Sequence, residues 1–272
     1  MKNALYGLIG GKLGHSYSPQ IHDMLLKRLN LKGLYNLFEV KEEELESKIV
    51  ELKTLRAKGI NVTIPYKTKV MQYLDYISPE AQKIGAVNTI DFKNGRLSGY
   101  NTDYYGFGTA LINSDIDINN KSAVILGTGG ASRAVVQYLA DNNIKEVILV
   151  SRNPEKVEFK NTRGYKIISY ENMDKLTDKD IIINCTPCGM YPDITNCPVS
   201  MDILLKFSLA VDLIYNPLNT LFLKRASKLG LKTTNGLYML IAQAAASQEI
   251  WQNTKIHRKV VEEIYEEMGR FI

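Results

Sequence analysis

Long hydrophobic runs are missing from this sequence of 272 residues, and no stretch approaches the length of a membrane-spanning helix. The first residues offer no signal-type apolar region either, because Ala4 to Ile9 is short and Gly7, Gly10 and Gly11 break it. Cysteine is scarce, at three residues, which excludes a disulfide scaffold and fits a reducing compartment. Blocks of lysine and arginine are absent. The net charge of +5 is mild, so it suits an anionic small ligand but not a nucleic-acid track. Neither solenoid repeats nor low-complexity tracts occur. What remains is a cytoplasmic α/β protein, long enough for one large domain or two modest ones.

The most informative stretch present is Val124-Ile125-Leu126-Gly127-Thr128-Gly129-Gly130-Ala131-Ser132-Arg133. An apolar run enters a glycine-rich turn and a helical pattern leaves it, as in a strand, a phosphate-cradling loop and a helix whose N-terminus favours an anion. Gly127 and Gly129 fit the tight turn and close backbone approach of a dinucleotide fingerprint, while Ser132 stands where that fingerprint has its third glycine. Further strands are expected at Val147–Val150, Tyr165–Ile168, Ile181–Cys185 and Leu209–Leu213, giving a repeated βα pattern.

Upstream, strands are expected at Ala4–Ile9, Leu34–Val40, Gly59–Ile64, Ala86–Phe92 and Arg96–Tyr100, the last two joined by an Asn94-Gly95 turn. Ser18 reads as the N-cap and Pro19 as the first turn of a helix carrying Ile21, Met24, Leu25 and Leu29. The acidic Glu42-Glu43-Glu44 opens a second helix, Tyr66 to Met71 starts another, and Tyr105 to Ile112 can form a fourth. This alternation predicts a mainly parallel sheet. Two successive helices, Leu237–Trp251 and Lys255–Phe271, close the chain.

A dinucleotide fold that prefers NAD usually ends its second strand with a carboxylate, which would repel a 2′-phosphate. Here Ser151, Arg152 and Asn153 occupy that place, and Lys156 follows. A guanidinium grips a phosphate in bidentate fashion, so the pattern predicts NADP. Cys185 and Cys188 form a C-x-x-C, but the only further cysteine is Cys197 and no histidine is near, so no metal is expected. Cys185 reads as a core thiol, with Pro187 and Gly189 shaping a loop beside the cofactor.

In the N-terminal half, hydroxyls, amides and one carboxylate collect at strand ends: Ser16, Ser18, Thr63, Asn88, Asn101 and Asp103. Such a set suits a small polyhydroxylated substrate, although taken singly each could serve as a cap or a backbone partner. Lys67 is different. A helix start disfavours a cation, which suits a proton-transferring lysine, whereas a nearby carboxylate such as Asp103 would stabilise the ammonium.

With these residues in hand, the chain closely resembles the shikimate dehydrogenases over nearly its whole length. The matching motifs are His15-Ser16-Tyr17-Ser18-Pro19, Asn61-Val62-Thr63-Ile64-Pro65-Tyr66-Lys67, Gly85-Ala86-Val87-Asn88-Thr89 and Asn101-Thr102-Asp103. The glycine loop, the loop from Thr186 to Met190, and Gly236-Leu237 through Gln243 complete the set. The resemblance implies NADP-dependent interconversion of 3-dehydroshikimate and shikimate in aromatic amino acid synthesis. It also implies a substrate domain (residues 1–103) facing a Rossmann-type NADP domain (104–236) across a cleft, with C-terminal helices (237–272) packing back on the substrate domain. Carried over by motif, Lys67 and Asp103 form the catalytic pair, and Ser16, Ser18, Thr63, Lys67, Asn88, Asp103, Tyr215 and Gln243 hold the substrate. Gly127, Thr128, Gly129, Gly130, Ala131, Ser151, Arg152, Asn153, Lys156, Leu213 and Gly236 hold the cofactor. The implied partner is the small-molecule substrate, with no nucleic acid and no membrane, and a homodimer stands open as the assembly. Two alternatives compete: a quinate/shikimate dehydrogenase using NAD, and a non-catalytic dinucleotide-sensing protein on the same fold.

Overall fold

The structure is a computed structural model that describes residues 3–14, 16–157 and 165–272. His15 of the first motif lies outside the described residues. The chain divides into two compact units, Met1–Gly106 with Leu240–Phe271, and Phe107–Met239 with Ile272.

In the first unit, β1 (Ala4–Gly10), α1 (Ser18–Arg28), β2 (Gly33–Glu39), α2 (Leu45–Thr54) and β3 (Gly59–Val62) alternate. Then come β4 (Tyr76–Ile77), α3 (Pro79–Ile84), β5 (Thr89–Lys93), β6 (Arg96–Tyr100) and α4 (Thr102–Asn113), within which the unit ends. The sheet order is β2-β1-β3-β5-β6-β4. It is mixed rather than parallel throughout: β1 runs parallel to β2 and β3, but β5 is antiparallel to both β3 and β6. The cause is the Asn94-Gly95 turn, where both residues take positive φ (53° and 73°). That two-residue geometry matches strand twist and can only reverse the chain. One face of the sheet buries Ile9, Ile60, Val62 and Ile90 with Leu45, Ile49 and Leu52, a helical stripe of α2.

The second unit holds β7 (Ser122–Leu126), α5 (Gly130–Asp141), β8 (Glu146–Ser151), β9 (Lys166–Ser169), β10 (Ile181–Asn184), α6 (Met201–Leu204), β11 (Leu209–Asp212), α7 (Leu221–Lys228) and β12 (Lys232–Thr234). Its sheet runs β12-β11-β10-β7-β8-β9, and every pairing is parallel. Counted from the first strand of the unit, that is the doubly wound order 3-2-1-4-5-6 read from the β9 edge, and it reverses between β7 and β10, where such sheets bind ligands. β7, β10 and β11 are buried at every position, as central parallel strands require. Helix α8 (Leu237–Gln252) contains the second unit boundary, and α9 (Arg258–Gly269) belongs wholly to the first unit. None of the described helices is long and apolar enough to cross a membrane.

Several local expectations need correction. Ser18 is the first helical residue and not the cap: Tyr17 occupies the cap position without a side-chain bond, while Ser16 Oγ accepts from the Ser18 N–H at 3.2 Å. The segment after Pro65 forms turns and a short 3₁₀ helix, Lys69–Tyr73, so Lys67 lies in a turn. Glu42–Glu44 likewise form a 3₁₀ turn ahead of α2, and β5 begins at Thr89, not Ala86. The short edge strands β4 and β12 carry too few apolar residues to show a period.

Helix α8 approaches the first sheet closely because residue 59 is glycine. A Cβ there would lie 2.1 Å from the Trp251 indole, whose Nε1 donates to the Ile90 carbonyl at 3.0 Å. Trp251 is the only tryptophan, so its emission reports on this contact. Gly59→Ala should destabilise the fold by about 1–3 kcal/mol through overpacking. Urea unfolding followed by Trp251 emission checks this, and an unchanged midpoint would show that α8 can shift without loss.

Candidate functional site

The topology brings the polar residues of the first unit to one edge of its sheet. Thr63 follows β3 and bonds to the Ile9 carbonyl of β1 at 2.9 Å, and a Cβ on Gly10 would lie 2.6 Å from its methyl. Ser16 and Ser18 follow β1 and bond to each other at 3.1 Å. Because β5 starts, and β6 ends, at this same edge, Asn88 and the segment Asn101-Thr102-Asp103 arrive there too. The hairpin reversal is therefore what completes the cluster.

Its centre is a buried ion pair. Lys67 Nζ donates to Asp103 Oδ2 at 2.5 Å, with the two side chains 12% and 8% exposed. Asn88 Nδ2 donates to the other carboxylate oxygen at 2.9 Å. The orientation of that amide is fixed from behind, since Asn88 Oδ1 receives the Thr102 N–H at 2.7 Å and the Thr89 hydroxyl at 2.9 Å, with the Thr102 hydroxyl 3.1 Å away. Lys67 itself is anchored by its carbonyl, which accepts from the Val87 N–H at 2.7 Å. Asp103 sits in the first turn of α4, where the helix dipole favours an anion. Gln243 on α8 joins the group, its Oε1 3.4 Å from the Thr102 hydroxyl. Lys67, Asn88, Asp103 and Gln243 thus form one bonded cluster, and Ser16, Ser18 and Thr63 stand at the same edge without a direct bond to it.

Sequence reasoning missed the layer beneath. Asn61 Nδ2 reaches Thr89 Oγ1 at 3.0 Å and Ser247 Oγ at 2.9 Å, and Asn61 Oδ1 accepts from Tyr35 at 2.8 Å. Tyr35 stacks on the buried His22 with ring centroids 4.0 Å apart. Gln252 donates to Gln248 Oε1, which leaves Gln248 Nε2 to donate to His22 Nδ1 at 3.0 Å. His22 is therefore neutral with its proton on Nε2. Burial pulls its pKa down to about 3, with Asn61 opposing. Ser247 could have been found from the sequence, because it lies one helical turn beyond Gln243 on the same face.

In the second unit the glycine loop has the geometry of an anion cradle. Gly127 takes φ 95°, and a Cβ there would lie 2.9 Å from Thr186 and 3.3 Å from the Cys185 carbonyl, so only glycine fits. Gly129 caps α5 without a side chain and has open space around it, which leaves the N–H groups of Gly130 and Ala131 without a local cap. Ser132, in place of a glycine, is fully buried and donates to the Gly127 carbonyl at 2.8 Å, pinning the turn that Thr128 completes. Beside the loop, β8 ends in Ser151, whose Oγ accepts from the Asn153 N–H at 3.1 Å; Arg152, Asn153 and Lys156 are exposed. These residues fit a dinucleotide bearing an extra phosphate.

Leu213 and Gly236 meet directly: a Cβ on Gly236 would lie 2.0 Å from the Leu213 carbonyl. Tyr215 follows in a half-buried loop. Behind them is a carboxylate the sequence reading passed over. Asp212 ends β11 fully buried and accepts from Thr220 at 2.6 Å, Asn184 at 3.0 Å and the Ile214 N–H at 3.1 Å. Burial pushes it up to about 6, and those three donors limit the rise. The three cysteines are free thiols. Cys185 is driven above the usual thiol range by desolvation and by Asp212. Among the described residues, no group of three or more His, Cys, Asp or Glu is placed to hold a metal ion.

The chain is 51% identical over 267 residues to the NADP(+) shikimate dehydrogenase of Clostridium perfringens, covering 97% of this chain and 98% of that one. It belongs to the shikimate dehydrogenase family. Family models agree: the shikimate dehydrogenase substrate binding domain matches residues 8–90, and shikimate / quinate 5-dehydrogenase matches residues 110–192. Among solved structures, a chorismate mutase/shikimate 5-dehydrogenase fusion protein from Clostridium acetobutylicum matches with a TM-score of 0.95 and 50% identity, covering 100% of this chain and 99% of that one. The shikimate 5-dehydrogenase of Thermus thermophilus, solved in complex with NADP(H) and shikimate, matches at 0.87 and 33% identity, covering 97% and 99%. This member of the family is accordingly an α/β oxidoreductase.

His22 gives the first unit a defined acid response. Its folded pKa lies below the unfolded value of 6.5, so the unfolded chain binds the extra proton between about 3 and 6.5. The resulting stability is full above pH 6.5 and is lost as pH falls towards 3. Urea midpoints from Trp251 emission should drop over this window in the wild type and drop less steeply in His22→Gln. Equal slopes would mean that other groups carry the acid response.

Proposed function

We propose that this chain catalyses the reversible NADP-dependent reduction of 3-dehydroshikimate to shikimate, with Lys67 and Asp103 handling the proton. The observation that carries the reading is the Lys67–Asp103 pair held by Asn88 at a sheet edge lined with hydroxyls and amides. Binding alone does not need an ion pair that costs desolvation to bury, whereas a ketone reduction needs a proton donor fixed against the developing alkoxide.

In this reading the segments 1–103 and 237–272 bind the substrate and 104–236 bind the cofactor. Ser16, Ser18, Thr63, Asn88 and Gln243 hold the substrate carboxylate and hydroxyls, and Tyr215 adds a contact from its loop. Lys67 donates the proton to the carbonyl oxygen during reduction and recovers it in the reverse direction. Asp103, with one oxygen on Lys67 and the other on Asn88, keeps the ammonium aimed and orients the reacting hydroxyl. When bound, NADPH supplies the hydride. The N–H groups from Gly127 to Ala131 hold the pyrophosphate, Arg152 and Lys156 grip the 2′-phosphate with Ser151 and Asn153 beside them, and Leu213 and Gly236 border the nicotinamide. The mild net charge supports a small-molecule partner rather than nucleic acid, and the reading places the enzyme in the cytoplasm. A homodimer is the assembly to test by sedimentation.

NADPH absorbance followed with shikimate and quinate, each with NADP and NAD, tests the reaction. Reduction of NADP by shikimate is expected, and no reduction of either cofactor by either substrate would favour a dinucleotide-sensing protein. Lys67→Ala should lower kcat by about 10²–10⁴ with little change in KM for shikimate. Near-normal turnover would remove Lys67 from the proton step. Arg152→Ala should raise KM for NADP by about tenfold or more while leaving NAD kinetics alone, since a charge-assisted phosphate contact contributes more than a neutral one. An unchanged NADP affinity would remove the 2′-phosphate assignment.

A further inference from the structure

Three α8 side chains at four-residue intervals address β5 of the first sheet and the start of α4 beside it. Trp251 donates to the Ile90 carbonyl at 3.0 Å, Ser247 meets Thr89 at 3.0 Å, and Gln243 Oε1 faces the Thr102 hydroxyl at 3.4 Å. Ser247 has no role in the reaction as proposed above. It is nevertheless fully buried, and its Oγ lies within hydrogen-bond distance of four groups: Asn61 Nδ2 (2.9 Å), the Gln243 carbonyl (2.9 Å), Thr89 Oγ1 (3.0 Å) and Thr102 Oγ1 (3.2 Å).

The protons can be counted. A hydroxyl has one hydrogen and two acceptor sites. The Ser247 hydrogen goes to the Gln243 carbonyl, which can only accept. Its acceptor sites then take Asn61 Nδ2 and one threonine hydroxyl. The Thr89 hydrogen points to Asn88 Oδ1, which leaves the Thr102 hydroxyl for Ser247. With these choices every donor has an acceptor, and Asn88 Oδ1 keeps the Thr102 N–H and the Thr89 hydroxyl, so its amide N–H must face Asp103.

We infer that Ser247 is a positioning residue for the reaction: by accepting from Asn61 and from the Thr102 hydroxyl it holds the layer that fixes Asn88, and through Asn88 the Asp103–Lys67 pair, in register with Gln243. The inference rests on the proposed reaction. A mid-helix serine bonded only to the carbonyl four residues back would also be buried. That role accounts for one of the four contacts and would affect stability alone.

Steady-state kinetics of the full-length enzyme, with shikimate and NADP each varied, test this. Ser247→Ala should lower kcat by about five- to thirtyfold, the equivalent of one or two buried hydrogen bonds, with KM for NADP unchanged within about twofold. Because Ser247 acts through Asn88, the double variant Ser247→Ala/Asn88→Ala should be no slower than Asn88→Ala alone. Thr102→Val, which keeps the N–H to Asn88 but removes the hydroxyl that Ser247 receives, should lose kcat as Ser247→Ala does, and Thr102→Ser should restore it; this pair decides the matter if Ser247→Ala fails to fold. Ser247→Ala with full kcat and a lowered unfolding midpoint, or multiplicative losses in the double variant, would overturn the positioning role while leaving the reaction standing. A wild-type enzyme inactive with shikimate would overturn both.

Discussion

A lysine and a carboxylate taken almost entirely out of water must be given back the hydrogen bonds that water supplied, and much of the first unit meets that requirement. Asp103 receives one donor from Lys67 and another from Asn88. Asn88 can serve only because its carbonyl oxygen is filled from Thr89 and Thr102. Those hydroxyls are in turn surrounded by Asn61 and Ser247, and Asn61 is held by Tyr35. The path from Tyr35 through Asn61, Thr89 and Asn88 runs donor to acceptor towards the carboxylate, which meets the Lys67 ammonium from the other side. A half-satisfied version would be worse than an apolar core, since each unpaired buried group retains its full desolvation cost.

The chemistry-bearing residues were legible in the sequence because reactive side chains sit in short motifs at strand ends, where polar letters interrupt apolar runs. Lys67, Asn88 and Asp103 were found that way, Gln243 only through the family resemblance, and the structure joins all four in one cluster. The supporting layer was not legible. Thr89 and Thr102 look like ordinary strand and helix residues, and His22 reads as one more position on an amphipathic helix. Their roles arise from partners remote in the chain, as with Ser247 and Asn61, and no local pattern encodes such pairs. The hairpin that makes the first sheet mixed was legible as the Asn94-Gly95 turn; what the alternation of strands and helices did not show is that β5 lies antiparallel to β3.

The glycine loop shows the converse. A fingerprint lacking its third glycine looks weakened, yet Ser132 is buried against the Gly127 carbonyl and closes the turn itself. Whether a serine at that place harms or helps depends on where its hydroxyl can reach, which is a question of backbone path and not of sequence identity. Asp212 makes a similar point: a carboxylate at a strand end in this fold is not automatically a ligand, and here its oxygens are occupied by Thr220, Ile214 and Asn184.

The Asn94-Gly95 reversal has a further consequence for how this site can change. Asn88 and Asp103 stand at the two open ends of one hairpin, whose register pairs Thr89 with Tyr100 and Lys93 with Arg96. Their separation is set by counting rungs from the turn, in the way a ladder fixes the distance between its feet. Exposed side chains along the rungs, such as Lys93 and Arg96, can be exchanged as long as the count holds. Losing one residue from either rail would turn all the side chains beyond it to the opposite face and carry one foot of the ladder away from the other. The hairpin is thus a measuring device remote from the chemistry, more tolerant of substitution than of any change in length.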